Sequence, residues 1–317
     1  MNRQIYYHRV IDSTNDEAKR LIEKGEPHGT LIIADEQTAG RGRSGRSWVT
    51  PPMSAVAMSL ILRPTAPAPL HLTQISLLGG LVVLEGIRKV SSQQSGVGAS
   101  LALAQRGDRK GAPLHFEKIL RKIMESKSLT SVNVLPTRSA RGASQDVDSV
   151  KLKWPNDVLI NGSKVAGVLA ESLFVGDRLE AVIVGMGVNV NAAPPPDLKL
   201  EYPATCLADV LGHQVNRENL ITAIIESFDA RYSQLGTKDL TEAWSAHLAM
   251  KGQGVQVLGI TETTSGTLEG VTSEGALLIR LATGEIKTIL AGDVHLRAKD
   301  FRSASHETSE VWYITCI

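Results

Sequence analysis

From Gly252 to about Arg297 the apolar residues recur at every second position, in GVQVL, GTLEGV, ALLIRL and IKTIL, with Gly and Thr turns between them. Short strands with that spacing bury one face each, so the stretch predicts a small β-barrel. The preceding part of the chain lacks that uniform period. Ser13-Thr14-Asn15 precedes a helical pattern from Asp16 to Lys24, with a Ser or Thr at the N-cap. Thr30 to Asp35 and Ala55 to Leu62 read as short buried strands. Leu72 to Val90 is apolar at helical spacing, although Gly79-Gly80 weakens its middle. KLKWPNDVLINGSKVAGVLAESL then reads as strand, turn, strand, with Asn161-Gly162 as the hairpin turn, and Leu179 to Val190 as a further buried strand. Pro194-Pro195-Pro196 breaks the chain before helical patterns at 204–211, 217–235 and 239–249. The expected fold is α+β: a domain over 1–250, a mixed β-sheet with flanking helices, and a small C-terminal β-barrel over 251–297. The tail, 298–317, is expected to be loose apart from its last few apolar residues.

Residues 91–149 change character. The segment opens with SSQQSGVGAS and closes with TRSARGASQDVDS, and Leu114 to Lys127 between them has the pattern of one basic helix. Nine basic against five acidic residues leave an excess of four positive charges. Its composition suits an inserted surface segment, disordered or partly helical. The alternative is a docking arm for an anionic partner.

Over the whole chain, 34 basic residues face 33 acidic ones, a net charge of +1. A general nucleic-acid or membrane-surface binder would carry a larger basic excess. Cys206 and Cys316 lie far apart with no metal-type spacing and are expected to be free thiols. No apolar run approaches the roughly 20 residues needed to span a bilayer, and the N-terminal residues lack a signal-peptide apolar region. These features point to a soluble, cytoplasmic protein without DNA or membrane partners.

Three segments carry chemistry. Gly40-Arg41-Gly42-Arg43-Ser44-Gly45-Arg46-Ser47-Trp48 contains a literal G-x-G-x-x-G. A dinucleotide fingerprint needs its last glycine to open a helix. Here Pro51-Pro52 and a strand follow, and no G-K-[ST] ending makes it a P-loop. What remains is a glycine loop with three guanidinium groups suited to phosphate or carboxylate oxygens, and a tryptophan able to cover a purine or the loop. An ordinary basic surface loop or a nucleic-acid contact is the alternative. In Lys153-Trp154-Pro155-Asn156-Asp157 a lysine ends a buried strand, so it needs an anion, either a ligand or a neighbouring carboxylate. Gly185-Met186-Gly187-Val188-Asn189 ends an apolar strand where α/β sheets tend to bind ligands, although Asn189 alone could simply hold a turn.

Taken together and in this order, the segments STN at 13–15, EQTAGRGRSGRSW at 36–48, KWPND at 153–157, KVAGVLAE at 164–171 and GMGVN at 185–189 resemble the catalytic domain of biotin protein ligases. The resemblance covers about 1–90 and 150–297. It implies a class II aminoacyl-tRNA synthetase-like catalytic domain and an SH3-like C-terminal barrel. It also implies residue roles. Ser13, Thr14, Asn15 and Gln37 would line a biotin pocket, with Arg41, Gly42 and Arg43 closing over it. Lys153 would lie between the biotin carboxylate and the ATP α-phosphate. Arg43, Arg46 and Lys164 would hold phosphates, Asn156 and Asn189 would face the adenine, and Trp48 would order the loop. Asp157 would bind metal-phosphate or help deprotonate the acceptor lysine. Mg²⁺ is expected mainly through the ATP phosphates, with its protein ligands unassigned.

Such an enzyme activates biotin as its adenylate and transfers it to a lysine of a biotin acceptor domain, for instance that of acetyl-CoA carboxylase. A carboxylate attacking a phosphate is an encounter of two anions, so a site rich in lysine and arginine fits the demand. The chain starts almost at the STN segment, so the resemblance is to the type without an N-terminal DNA-binding domain. The insertion at 91–149 has no counterpart in the family pattern, and the pattern leaves homodimer formation open. The rival readings are a lipoate or octanoate ligase and a non-catalytic biotin-binding regulator.

Overall fold

In the computed structural model, which describes residues 3–49, 51–63, 72–95, 149–195, 203–258, 263–290, 294–298 and 314–316, two sheets carry the architecture. The larger contains β1 (Ile5–Ile11), β2 (Leu31–Gln37), β3 (Ala55–Leu62), β4 (Val150–Lys153), β5 (Asp157–Ile160), β6 (Ser163–Val175) and β7 (Arg178–Asn189). Their order is β1-β2-β3-β7-β6-β5-β4, with β1 parallel to β2 and every other neighbour antiparallel. It is a mixed sheet, as expected. Asn161 and Gly162 turn β5 into β6 with φ of 50° and 77°, the pair of positive angles a two-residue hairpin requires.

Both faces of the sheet are covered, which is why β3 is buried along its whole length. Helix α1 (Thr14–Glu23) lays Ala18, Leu21 and Ile22 on Ile32, Ile61, Ala181 and Ile183. Helix α2 (Leu72–Ser95) covers the opposite face, joined there by α4 (Arg217–Arg231); the short α3 (Leu207–Leu211) lies between β7 and α4 in the chain. Gly79 does not weaken α2 in this setting: a Cβ there would meet Val168 at 2.6 Å, so its bareness lets the helix approach the sheet.

Helix boundaries shift from the expected ones for identifiable reasons. α1 already begins at Thr14. Residues 203–205 bond to the start of β6 instead of joining α3, through Lys164 N–H to Pro203 and Thr205 N–H to Lys164. α5 (Lys238–Ser245) stops early because the backbone after it caps the edge strand β4: Leu152 N–H bonds His247 O and Ala249 N–H bonds Leu152 O. α4 tightens into a 3₁₀ turn at Tyr232–Gln234.

The smaller sheet is antiparallel: β8 (Gly254–Leu258), β9 (Thr263–Val271), β10 (Leu277–Arg280), β11 (Ile286–Ile289), β12 (Val294–Ala298) and β13 (Ile314–Cys316), in the order β11-β10-β9-β8-β12-β13. Its last strand comes from the apolar end of the segment read as a tail. Leu268, Leu277 and Ile279 join the main apolar core, and Trp154 Nε1 donates to Gly275 O at 2.8 Å, so the KWPND turn is bonded to the C-terminal sheet. Cys206 is a buried free thiol. No described helix is long and apolar enough to cross a membrane. Of the inserted segment, residues 91–95 continue α2; the helix expected at 114–127 lies outside the described residues, as does most of the tail.

Candidate active site

The N-terminus of α1 faces the C-terminal end of β2, and a cavity opens between them, β7 and the glycine loop. Ser13 occupies the N-cap position, but its side chain makes no capping bond; it lines the cavity instead. Thr14 is held through both its backbone N–H (2.8 Å) and its hydroxyl (3.1 Å) to Gln37 Oε1. Asn15 accepts from the buried Ser59 hydroxyl at 2.6 Å and donates to Glu171 at 2.6 Å. Gly185 makes room for it, since a Cβ at that position would run into the Asn15 amide. This end of the site is a floor of neutral hydrogen-bonding groups with fixed orientations.

The glycine loop folds back on itself. Arg41 and Ser47 form an antiparallel bridge, Gly42 N–H bonds Arg46 O at 2.7 Å, Trp48 N–H bonds Gly40 O at 2.8 Å, and Arg43–Gly45 make a 3₁₀ turn. Trp48 lies on β7 at Gly187, where a Cβ would sit 2.6 Å from the indole ring. The Arg41 side chain pairs with Asp16 at 2.5 Å and Glu171 at 3.3 Å, which ties the loop to α1 and β6. Arg43 and Arg46 line the cavity beside it.

Opposite the loop, Asp157 opens β5 between two lysines, Lys164 Nζ at 2.6 Å and Lys153 Nζ at 3.5 Å. Burial alone would raise the Asp157 pKa; the charges of Lys164 and Lys153 outweigh it and hold the group below the usual carboxylate range. Asn156 donates to Val168 O and Asn189 to Thr205 O, which fixes both amides. Their carbonyl oxygens, and the Trp48 indole N–H, are buried without a hydrogen-bond partner among the described residues. Orphaned polar atoms are costly in a folded interior, and three around one cavity point to a polar ligand that would satisfy them.

The cavity brings together every predicted site residue except Lys153. That lysine is fully buried and stands behind Asp157, so the anion it meets here is the neighbouring carboxylate. Asp157 is the one carboxylate among the described lining residues, and no group of three His, Cys, Asp or Glu among the described residues could hold a metal. Sequence reasoning missed Ser59 and gave Glu171 no role; both lie inside strands, where nothing local separates them from ordinary sheet residues.

Residues 7–189 match the Biotin/lipoate A/B protein ligase family, and residues 252–297 match the Biotin protein ligase C terminal domain. The chain belongs to this family. Among its relatives it is similar to the bifunctional ligase/repressor BirA of Bacillus subtilis, 31% identical over 301 residues, covering 93% of this chain and 75% of that protein. It is also 31% identical over 279 residues to the biotin–[acetyl-CoA-carboxylase] ligase of Paracoccus denitrificans, covering 86% and 92%. Among solved structures it is similar to the biotin protein ligase from Aquifex aeolicus in complex with biotin and ATP, with a TM-score of 0.63, 26% identity, and coverage of 93% and 99%. The match at 252–297 makes the small sheet the family's C-terminal domain, and the cavity lies wholly within the catalytic match except for its rim at Pro194 and Ala204.

Proposed function

We propose that this chain is an ATP-dependent biotin protein ligase that converts biotin and ATP to biotinyl-5'-AMP and transfers biotin to a lysine of a biotin acceptor domain of a carboxylase. One observation carries the reading. A single cavity joins a neutral hydrogen-bonding floor to the cations Arg43, Arg46 and Lys164 and to the unsatisfied oxygens of Asn156 and Asn189. A neutral heterocycle, a phosphate chain and an adenine amino group are the complementary set.

In this mechanism Ser13, Thr14, Asn15 and Gln37 bind the biotin head, and Arg41, Gly42 and Arg43 close over it. Arg43, Arg46 and Lys164 hold phosphates, and Trp48 covers the nucleotide while Asn156 and Asn189 accept from its base. The biotin carboxylate oxygen attacks the α-phosphorus and pyrophosphate leaves. Lys153 serves that step as the cation between the two anions, which requires its ammonium to turn from Asp157 into the cavity when they arrive. Mg²⁺ arriving with ATP would supply further charge neutralisation, and Asp157 is the residue of the lining that would offer it an oxygen. Loop closure keeps water from the mixed anhydride. In the second step the acceptor lysine amine attacks the acyl carbon and AMP leaves, with Asp157 the proposed acceptor of the amine proton. The finer architecture, a class II aminoacyl-tRNA synthetase-like catalytic domain and an SH3-like barrel, belongs to the same reading.

The C-terminal domain match and the two ligase relatives favour biotin over lipoate or octanoate within the family. The phosphate-holding cations favour an enzyme over a regulator that only binds biotin, because biotin alone needs no such clamp. Incubation with biotin, MgATP and a recombinant carboxylase acceptor domain, read by intact mass spectrometry, tests it. Addition of one biotinyl group at a single lysine is expected; an unmodified acceptor, or modification only when lipoate or octanoate replaces biotin, contradicts it.

A further inference from the structure

Glu171 lies in β6, outside the cavity lining, yet two groups of the site, Asn15 and Arg41, converge on its carboxylate together with Lys19 of α1. Asn15 Nδ2 donates to Oε2 at 2.6 Å, Lys19 Nζ to Oε1 at 2.9 Å, and Arg41 Nη2 to Oε2 at 3.3 Å. Asp16 receives the same two cations, Arg41 at 2.5 Å and Lys19 at 3.4 Å. Burial pushes the Glu171 carboxyl upward, but the bonds from Asn15 and Lys19, with the charges of Lys19 and Arg41, hold it below its ordinary range.

Asn15 is boxed in by this arrangement. Ser59 fixes its oxygen, Glu171 fixes its nitrogen, and its amide fills the space that a side chain at residue 185 would take. Arg41 is the first arginine of the glycine loop, and its guanidinium reaches the same Glu171 oxygen that Asn15 uses. A single carboxylate therefore connects the cavity floor to the base of the loop above it. We infer that Glu171 is a positioning residue that sets the orientation of Asn15 and, with Asp16, anchors the glycine loop through Arg41. The assignment rests on the ligase reading, in which the floor binds biotin and the loop retains the adenylate.

The two functions separate in the choice of variant. Glu171→Ala removes both, while Glu171→Gln keeps an acceptor for Asn15 but leaves Asp16 as the one carboxylate paired with Arg41. Hydrogen bonds to charged groups are worth about 1.5–3 kcal/mol, so Glu171→Ala is expected to raise the biotin dissociation constant on the order of ten- to a hundredfold. The loss appears in the KM for biotin rather than in kcat. Adenylate release, followed by rapid filtration of labelled enzyme, is faster in both variants, while biotin affinity falls less in Glu171→Gln. In a double-mutant cycle Glu171→Gln and Arg41→Gln are non-additive for adenylate release, because Arg41→Gln already removes the Glu171 contact together with that to Asp16. Wild-type release rates in Glu171→Gln, additive effects in the cycle, or a loss confined to kcat overturn the assignment. Should Glu171→Ala fail to fold, Glu171→Gln and the cycle decide it. If the unaltered chain makes no adenylate, the ligase reading fails; an active chain indifferent to these changes sinks only the role of Glu171.

Discussion

Lys164 at 2.6 Å and Lys153 at 3.5 Å reverse the effect that burial alone would have on Asp157, and this has a consequence for stability. A carboxylate whose pKa is lower in the folded chain than in the unfolded one, near 4, contributes stability above that value and loses it as the pH falls through the folded pKa. Thermal melts at stepped pH are therefore expected to show a shallower acid limb for Asp157→Asn than for wild type. At neutral pH the variant should be less stable by about 3 kcal/mol, since two lysines lose their counter-charge. An unchanged acid limb would show that Asp157 does not carry the pair. For the nucleotide, Asn189→Ala is expected to raise the KM for ATP on the order of tenfold by removing the free amide oxygen, with biotin binding little affected in calorimetry. A change in biotin affinity instead would place Asn189 at the other end of the cavity. At this scale the residues of the dense motifs, Arg43, Asn156 and Asn189 among them, could be picked out from the sequence as a group, and they line one cavity. Ser59 was illegible because its partners, Thr14 and Asn15, are more than forty positions away in the chain.

Among the elements, β7 sets the position of the glycine loop. Trp48 rests on the strand only because residue 187 has no side chain, so Gly187→Ala should displace the indole. The expected result is faster escape of the adenylate, read as promiscuous labelling of lysines on a bystander protein, with the sheet intact by circular dichroism. Equal labelling by variant and wild type would mean that the tryptophan does not hold the lid. The period of the strands was readable, and so was the turn at Asn161-Gly162, because both arise from local chemistry. The ends of α3 and α5 were not. Residues 203–205 and 246–249 leave their helical patterns to bond β6 and β4, partners that only the tertiary structure supplies. Gly79 likewise read as a flaw in α2 until Val168 was seen to pack against it.

For the molecule as a whole, the two sheets are joined at the KWPND turn through Trp154 and Gly275, so the C-terminal sheet buttresses the strand that carries Lys153. The change of period at Gly252 marked that second sheet, but nothing in the sequence indicated its bond to the catalytic motif. Residues 96–148 lie outside the described residues. We propose that replacing 96–148 with a short Gly-Ser linker preserves biotin and ATP affinity and raises the KM for acceptor protein, an effect that added salt erases if its positive charge steers docking. Loss of biotin binding on replacement would make the segment part of the core. The account as a whole depends on one chemical step, attack of the biotin carboxylate on ATP, and biotin-dependent exchange of labelled pyrophosphate into ATP reports that step without an acceptor. Exchange is expected in the wild-type chain with biotin, none without it, and a loss of about 10²–10³ in Lys153→Ala. No exchange with biotin, or exchange in Lys153→Ala within a few-fold of wild type, would contradict the mechanism drawn from this site.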